Sequence, residues 1–225
     1  MRVRYRLMYS LLLDCSHRTN FIGLYNTDKE WLCSRHFEGQ PLEVLSPQIQ
    51  SLLSESAVDK KAISHFYTPA NPGSQLGIRI TKIFVQSWIK TLCPEAQWTE
   101  YNGLYMSARL LSDKEPDIKK GKYLITEKGR LSWSTLQMDN GFIKMPMIRS
   151  IDKQSLKELP GTVYYLPQVK QWQAPPCPVL EIKYEPMHFL KFLKDLQLSN
   201  FDSTQLQESE SHYLKWQAPN LKNET

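Results

Sequence analysis

Apolar residues near the start of the chain come in short runs separated by polar clusters, the pattern of strands joined by tight connections. The run at 9–13 stops at Asp14-Cys15-Ser16-His17-Arg18-Thr19-Asn20, a second at 21–25 stops at Asn26-Thr27-Asp28, and a third covers 31–34. This spacing predicts a hairpin followed by a third antiparallel strand. From residue 42 the period changes. Leu45, Ile49, Leu52 and Leu53 fall at i, i+4, i+7 and i+8, one face of a helix over 42–55, with Pro47 near its first turn. A strand at 62–68, the breaker Asn71-Pro72-Gly73 and a long helix over 74–92 follow, the helix carrying the stripe Leu76, Ile80, Ile83, Phe84 and Trp88.

The second half repeats the order. A helical stretch at 103–111 and a Lys-rich loop at 112–121 precede strands at 123–126, 131–138 and 142–148, with turns at Lys128-Gly129 and Asn140-Gly141. A short helix near 153–159 leads to a strand at 162–166. Then come the connector Ala174-Pro175-Pro176-Cys177-Pro178, a strand at 179–184 and a helix at 187–196 with the stripe Phe189, Leu190, Phe192 and Leu193. The recurrence predicts an α/β chain of two related β-β-β-α-β-α lobes, at 1–102 and 103–225, the second reduced. Beyond residue 199 the chain is polar until His212-Tyr213-Leu214, expected to dock back on the body.

Composition narrows the function classes. The chain has 225 residues, 41% of them apolar and 23% charged, enough to bury a core and unlike disordered or fibrous proteins. No apolar run is long enough to span a membrane, and the four cysteines, Cys15, Cys33, Cys93 and Cys177, have neither CxxC nor metal spacing, so buried thiols in a reducing cytosol are expected. Arg2, Arg4 and Arg6 before 7–13 imitate a secretory signal, but Tyr9, Ser10 and Asp14 spoil it, which leaves 9–13 as a strand and Met8 as a candidate start. The net charge of +5 suits either solvated lysines or an anionic partner. Lys119, Lys120 and Lys122 are its densest patch, readable as loop solubility or as tRNA contact.

Candidate chemistry is sparse. There is no G-x-S-x-G elbow, and His17, His36, His65, His188 and His212 form no HxxH, HxxxH or HExxH pair, so neither a hydrolase triad nor a metal site is expected. His65 reads as a hydrogen-bonded core or edge residue. Asp14, directly after a buried strand, could hold a Mg²⁺-bound water beside phosphates or accept hydrogen bonds from the turn that follows. In Asn71-Pro72-Gly73-Ser74-Gln75-Leu76-Gly77-Ile78-Arg79-Ile80, Gly73 permits positive φ and Ser74 can cap a helix. That segment is either a phosphate cradle or a capped helix whose Gly77 allows close packing.

These residues resemble the bacterial TsaB (YeaZ) family, whose members have the actin-like and sugar-kinase-like ATPase fold and act in making threonylcarbamoyladenosine in tRNA. The family's first strand and D-T-S-T turn are matched in type by Leu11-Leu12-Leu13-Asp14-Cys15-Ser16-His17, followed by Ile22-Gly23-Leu24. Its G-x-G-P-G-S-F-T-G-L-R-I-G stretch is matched over 69–81 at Pro72, Gly73, Ser74, Gly77, Arg79 and Ile80, and its L-x-P-x-I-x-x-L-L helix over 44–53. Tyr213-Leu214-Lys215 resembles the closing Y-L-R. Departures are Pro69 and Asn71 for loop glycines, Gln75-Leu76 for Phe-Thr, Pro41 for a histidine, and Thr126-Glu127-Lys128 for the second-lobe D-A-R turn.

The resemblance implies a non-catalytic scaffold that pairs with a TsaD-like catalytic subunit through its two N-terminal-lobe helices, is acted on with it by a TsaE-like ATPase, and reaches tRNA only indirectly. Leu42, Leu45, Ile49, Leu52 and Leu53 on one helix, with Leu76, Ile80, Ile83, Phe84 and Trp88 on the other, are then the partner face. Read without the resemblance, the same residues fit a single core. No cofactor is expected of the chain itself, with ATP or ADP conceivable only at a partner interface and Asp14 and Ser16 as its vestigial phosphate site. The competing expectations are a nucleotide-binding enzyme or inactive glycopeptidase relative of the same fold, and a homodimer through the same helices.

Overall fold

The computed structural model describes residues 8–26, 30–114, 121–138 and 148–198. Ten strands form two five-stranded sheets. The first is built from β1 (Tyr9–Asp14), β2 (Asn20–Asn26), β3 (Trp31–Phe37), β4 (Ile63–Asn71) and β5 (Gln97–Asn102), in the order β3-β2-β1-β4-β5. The β1–β2 and β2–β3 pairs are antiparallel, while β4 and β5 run parallel to β1. Parallel pairs require crossovers, supplied by α1 (Pro41–Glu55) and α2 (Gln75–Thr91). The helix α3 (Gly103–Lys114) leads to the second sheet.

That sheet contains β6 (Lys122–Glu127), β7 (Ser132–Met138), β8 (Arg149–Asp152), β9 (Thr162–Tyr165) and β10 (Leu180–Glu181), in the order β10-β9-β6-β7-β8. Its plan matches the first: an antiparallel meander β6-β7-β8, with β9 and β10 parallel on the other side of β6. The short helix α4 (Lys153–Lys157) stands where α1 stands in the first sheet, a helix-free connector replaces α2, and α5 (Leu190–Leu198) follows β10 as α3 follows β5. Two related α/β units, the second reduced, are what the repeated strand-strand-strand-helix order predicted.

Alternation along β1 divides the core. Leu11, Leu13 and Cys15 join Ile22, Leu24, Ile63 and Phe66 under α1 and α2, which contribute Leu45, Ile49, Leu52, Leu53, Val85 and Trp88. Leu12 faces the other way, with Phe21, Tyr67 and Tyr101 against Met106 and Leu110 of α3 and Phe189, Phe192 and Leu193 at and before the start of α5. The far side of α3 packs Leu104, Ala108 and Leu111 on Leu124, Leu136 and Tyr164 of the second sheet.

Several expectations need correction. The strand β5 was not foreseen, because Gln-Trp-Thr-Glu-Tyr-Asn lacks an apolar run. Pro47 lies in the second turn of α1 rather than the first; Pro41 begins the helix, and the carbonyl of Glu43 that Pro47 leaves unbonded belongs to an exposed residue. The helix expected from 187 starts at Leu190, after a 3₁₀ turn at Pro186–His188, and the strand expected over 179–184 pairs only at β10. The thiols of Cys15 and Cys93 are buried, but Cys33 and Cys177 are half-buried. The largest correction concerns the helices: Leu45 and Leu53 are at most 6% exposed, Ile49 and Leu52 are wholly buried, and Trp88 joins the same core, so these five cover the sheet and are no partner surface. Expectations for residues 1–7, the Asn140-Gly141 turn, most of 142–148, Lys119, Lys120 and 212–214 lie outside the described residues.

Candidate functional site

The β1–β2 turn and the loop before α2 meet, and the contact is closed on itself. Ser74 donates its backbone N–H to the Ser16 carbonyl at 2.6 Å, and its side chain caps α2 by accepting from Gly77 N–H at 3.2 Å. Gly77 comes so close to the first turn that a Cβ there would lie 1.8 Å from the Cys15 carbonyl oxygen. Gly73 adopts φ +145°, and a Cβ on it would lie 2.4 Å from the Ser16 oxygen. Both glycines therefore let backbone approach backbone at residues 15–16. Pro72 and Ser74 are half-buried and Arg79 is exposed. Of the two readings of this segment, the capped helix with a close-packed glycine describes the geometry.

Asp14 is 2% exposed and fully engaged. One carboxylate oxygen accepts from Ser16 N–H at 2.9 Å and from the Ser16 hydroxyl at 2.6 Å. The other accepts from two phenols, Tyr101 of β5 and Tyr184 after β10, the latter at 2.7 Å. These four hydrogen bonds offset the cost of burying the carboxylate. Burial, then the Asp14 charge, pushes both phenols well above the usual tyrosine range, so they stay protonated donors. His17 stacks on Tyr184 with centroids 3.6 Å apart, and its Nδ1 lies 2.9 Å from the Ser16 hydroxyl. Burial lowers His17 to about 4, which keeps the ring neutral at physiological pH. Burial also raises the Cys15 thiol to about 12, which keeps it protonated at physiological pH.

The second sheet has a counterpart. Glu127 ends β6 as Asp14 ends β1, is 4% exposed, and accepts at Oε1 from the backbone N–H groups of Trp172 and Gln173 at 3.1 and 3.0 Å. In both units a buried carboxylate ends the central strand, but only Asp14 has both oxygens bonded by the chain's own donors; Oε2 of Glu127 is buried without a hydrogen-bond partner among the described residues. As a Mg²⁺ or phosphate site the Asp14 arrangement fits poorly, since a ligand would have to displace bonds already made. Among the described residues no group of three or more His, Cys, Asp and Glu is placed to hold a metal. His65 is, as read from sequence, a core residue: 5% exposed, 2.8 Å from the Thr99 hydroxyl and stacked on Tyr67.

Tyr101 and Tyr184 were missed in the sequence. Tyr101 sits in the unforeseen strand, and Tyr184 lies 170 residues from its partner carboxylate, so no local pattern links them. The exposed residues of the predicted partner face are Leu42 (78%), Leu76 (67%) and Ile83 (62%), with Ile80 and Phe84 half-buried at the edge of the core. Leu76, Ile80 and Ile83, at i, i+4 and i+7, form one stripe on α2 opposite the face that carries Thr81, Val85 and Trp88.

No family model matches the sequence, and no curated protein sequence does. In structure the chain is similar to YeaZ from Pseudomonas aeruginosa, with TM-score 0.56 and 14% identity over 84% of this chain and 92% of that one. It is also similar to an uncharacterized protein with similarity to the peptidase YeaZ, from Pseudomonas aeruginosa, with TM-score 0.59 and 15% identity over 87% and 94% of the two chains. The two-lobe α/β arrangement of this chain is a YeaZ-like fold.

Proposed function

We propose that this protein is a non-catalytic partner subunit of the machinery that makes threonylcarbamoyladenosine in tRNA. In that role it pairs with a TsaD-like catalytic subunit, serves as a platform for a TsaE-like ATPase, and meets tRNA only through the assembly. The observation that carries the reading is the exposed apolar pair of α2, Leu76 and Ile83 at 67% and 62% exposure, beside the half-buried Ile80 at the core's edge, together with Leu42 on α1. A helix needs one apolar face to cover its own sheet, and α2 has a second. An interface of standard size, about 1,600 Å² in total, would cover it. The closed Asp14 cluster supports the non-catalytic part of the proposal, because a nucleotide-binding enzyme of this fold would need that carboxylate and loop open.

Co-expression with the TsaD-like protein of the native host tests the reading. The expected result is a stable complex on size exclusion that is lost on Leu76→Glu/Ile83→Glu, with no ATP-induced stabilisation of the isolated chain. A wild-type chain that stays apart from that protein, or that ATP with Mg²⁺ stabilises, overturns it. Self-association through the same stripe in the absence of the partner would appear as a concentration-dependent dimer.

A further inference from the structure

The connector that follows β9 carries an exposed tryptophan built into a cationic setting. Trp172 is 41% exposed, the Lys170 ammonium lies 4.3 Å from its ring centroid, and the Arg130 guanidinium lies 5.2 Å from it. Arg130 belongs to the β6–β7 turn, where Leu131 is 85% exposed, and Val169 beside Lys170 is 48% exposed. Neither cation is paired with a carboxylate among the described residues. The nearest acid along the chain, Glu127, is buried and spends Oε1 on the N–H groups of Trp172 and Gln173. The Gln171 amide bonds the Tyr165 hydroxyl at 3.3 Å, so both sides of Trp172 are tied down. The backbone that carries the indole is thus held in place by partly buried hydrogen bonds on both sides.

We propose that the patch of Arg130, Lys170 and Trp172 binds an unpaired polynucleotide strand. Each nucleotide of such a strand offers a flat base and a phosphate. Aromatic rings and guanidinium planes stack on the one, and cations neutralise the other. A duplex hides its base faces, so it engages only the cations. An acidic protein segment would also use the cations but has no need of a flat ring. The proposal stands on these contacts alone and does not draw on the partner-subunit reading, so either can fail without the other.

The test is fluorescence anisotropy of the full chain with a short labelled RNA strand, the same sequence as DNA, and a blunt duplex of it, at low and raised salt. Tighter binding of the unpaired strand than of the duplex is expected. The salt slope should fall by about 0.7 on Arg130→Ala or Lys170→Ala, and the affinity by about ten-fold on Trp172→Ala, with Trp172→Phe retaining most of it. Comparing the RNA and DNA arms identifies which polynucleotide is preferred. Thermal unfolding of each variant separates binding from folding, and should Trp172→Ala not fold, the Arg130→Glu/Lys170→Glu variant carries the same reading. The proposal is overturned by wild-type affinity in these variants, by equal binding of duplex and strand, or by polyglutamate competing as well as RNA.

Discussion

The Tyr184 hydroxyl donates to the Asp14 carboxylate at 2.7 Å and joins the segment after the second sheet to the central strand of the first. Tyr101 shares the same carboxylate oxygen, so one buried charge fixes three distant parts of the chain. Removing one donor leaves the charge under-bonded, at a cost of about 1.5–3 kcal/mol for a hydrogen bond to a charged group. Tyr184→Phe and Tyr101→Phe are each expected to lower the urea midpoint accordingly, with Tyr101, wholly buried, the costlier. Their double-mutant cycle should be non-additive because they share an acceptor. Unchanged midpoints would mean that the contacts do not hold the units together.

Stability should fall in mild acid. Burial lowers His17 and His65 from 6.5 to about 4 in the folded chain. Above 6.5 both histidines are neutral in either state and their contribution is fully present. As pH falls from 6.5 toward 4, the unfolded chain takes up protons that the folded chain refuses, and stability is lost by up to about 1.4 kcal/mol per pH unit for each histidine. Urea unfolding at about pH 7 and about pH 5 measures the slope, and His65→Gln, which can keep the bond to Thr99, is expected to flatten it. A slope unaffected by that change would refute the assignment.

Gly77 separates helix propensity from packing. Alanine there should gain about 1 kcal/mol of propensity, yet its Cβ would sit 1.8 Å from the Cys15 carbonyl oxygen, a backbone atom that cannot swing aside. Overpacking of this kind costs about 1–3 kcal/mol and at times more, so Gly77→Ala is expected to destabilise overall. A rise in melting temperature would show that α2 can move off the turn.

The two faces of the N-terminal helices predict opposite phenotypes. Leu45→Glu or Ile49→Glu places a charge in the core beneath α1 and should prevent folding. Leu76→Glu and Ile83→Glu change exposed positions, should leave the circular dichroism melt within about 0.5 kcal/mol of wild type, and should remove only binding to the partner. Equal loss of soluble protein in both sets would place all four residues in the core.

Much of the architecture was legible in the residues because it follows from periods. The runs at 9–13 and 21–25 became β1 and β2, the i, i+4, i+7 spacing after Leu45 became α1, and Ser74 capped α2 where a capping residue was expected. Local chemistry also pointed to close packing at Gly77, since few other reasons keep a glycine inside a helix start. Periodicity cannot say which of two apolar stripes meets the sheet. Leu45 and Leu76 look alike in sequence, yet only the docking of α1 and α2 over β1 buried the first and left the second in water. The Asp14 cluster was hidden for a related reason. A carboxylate's partners are chosen by distance in space, and Tyr101 and Tyr184 reach it only after two sheets and α5 have packed, which closed a site that the turn alone left open.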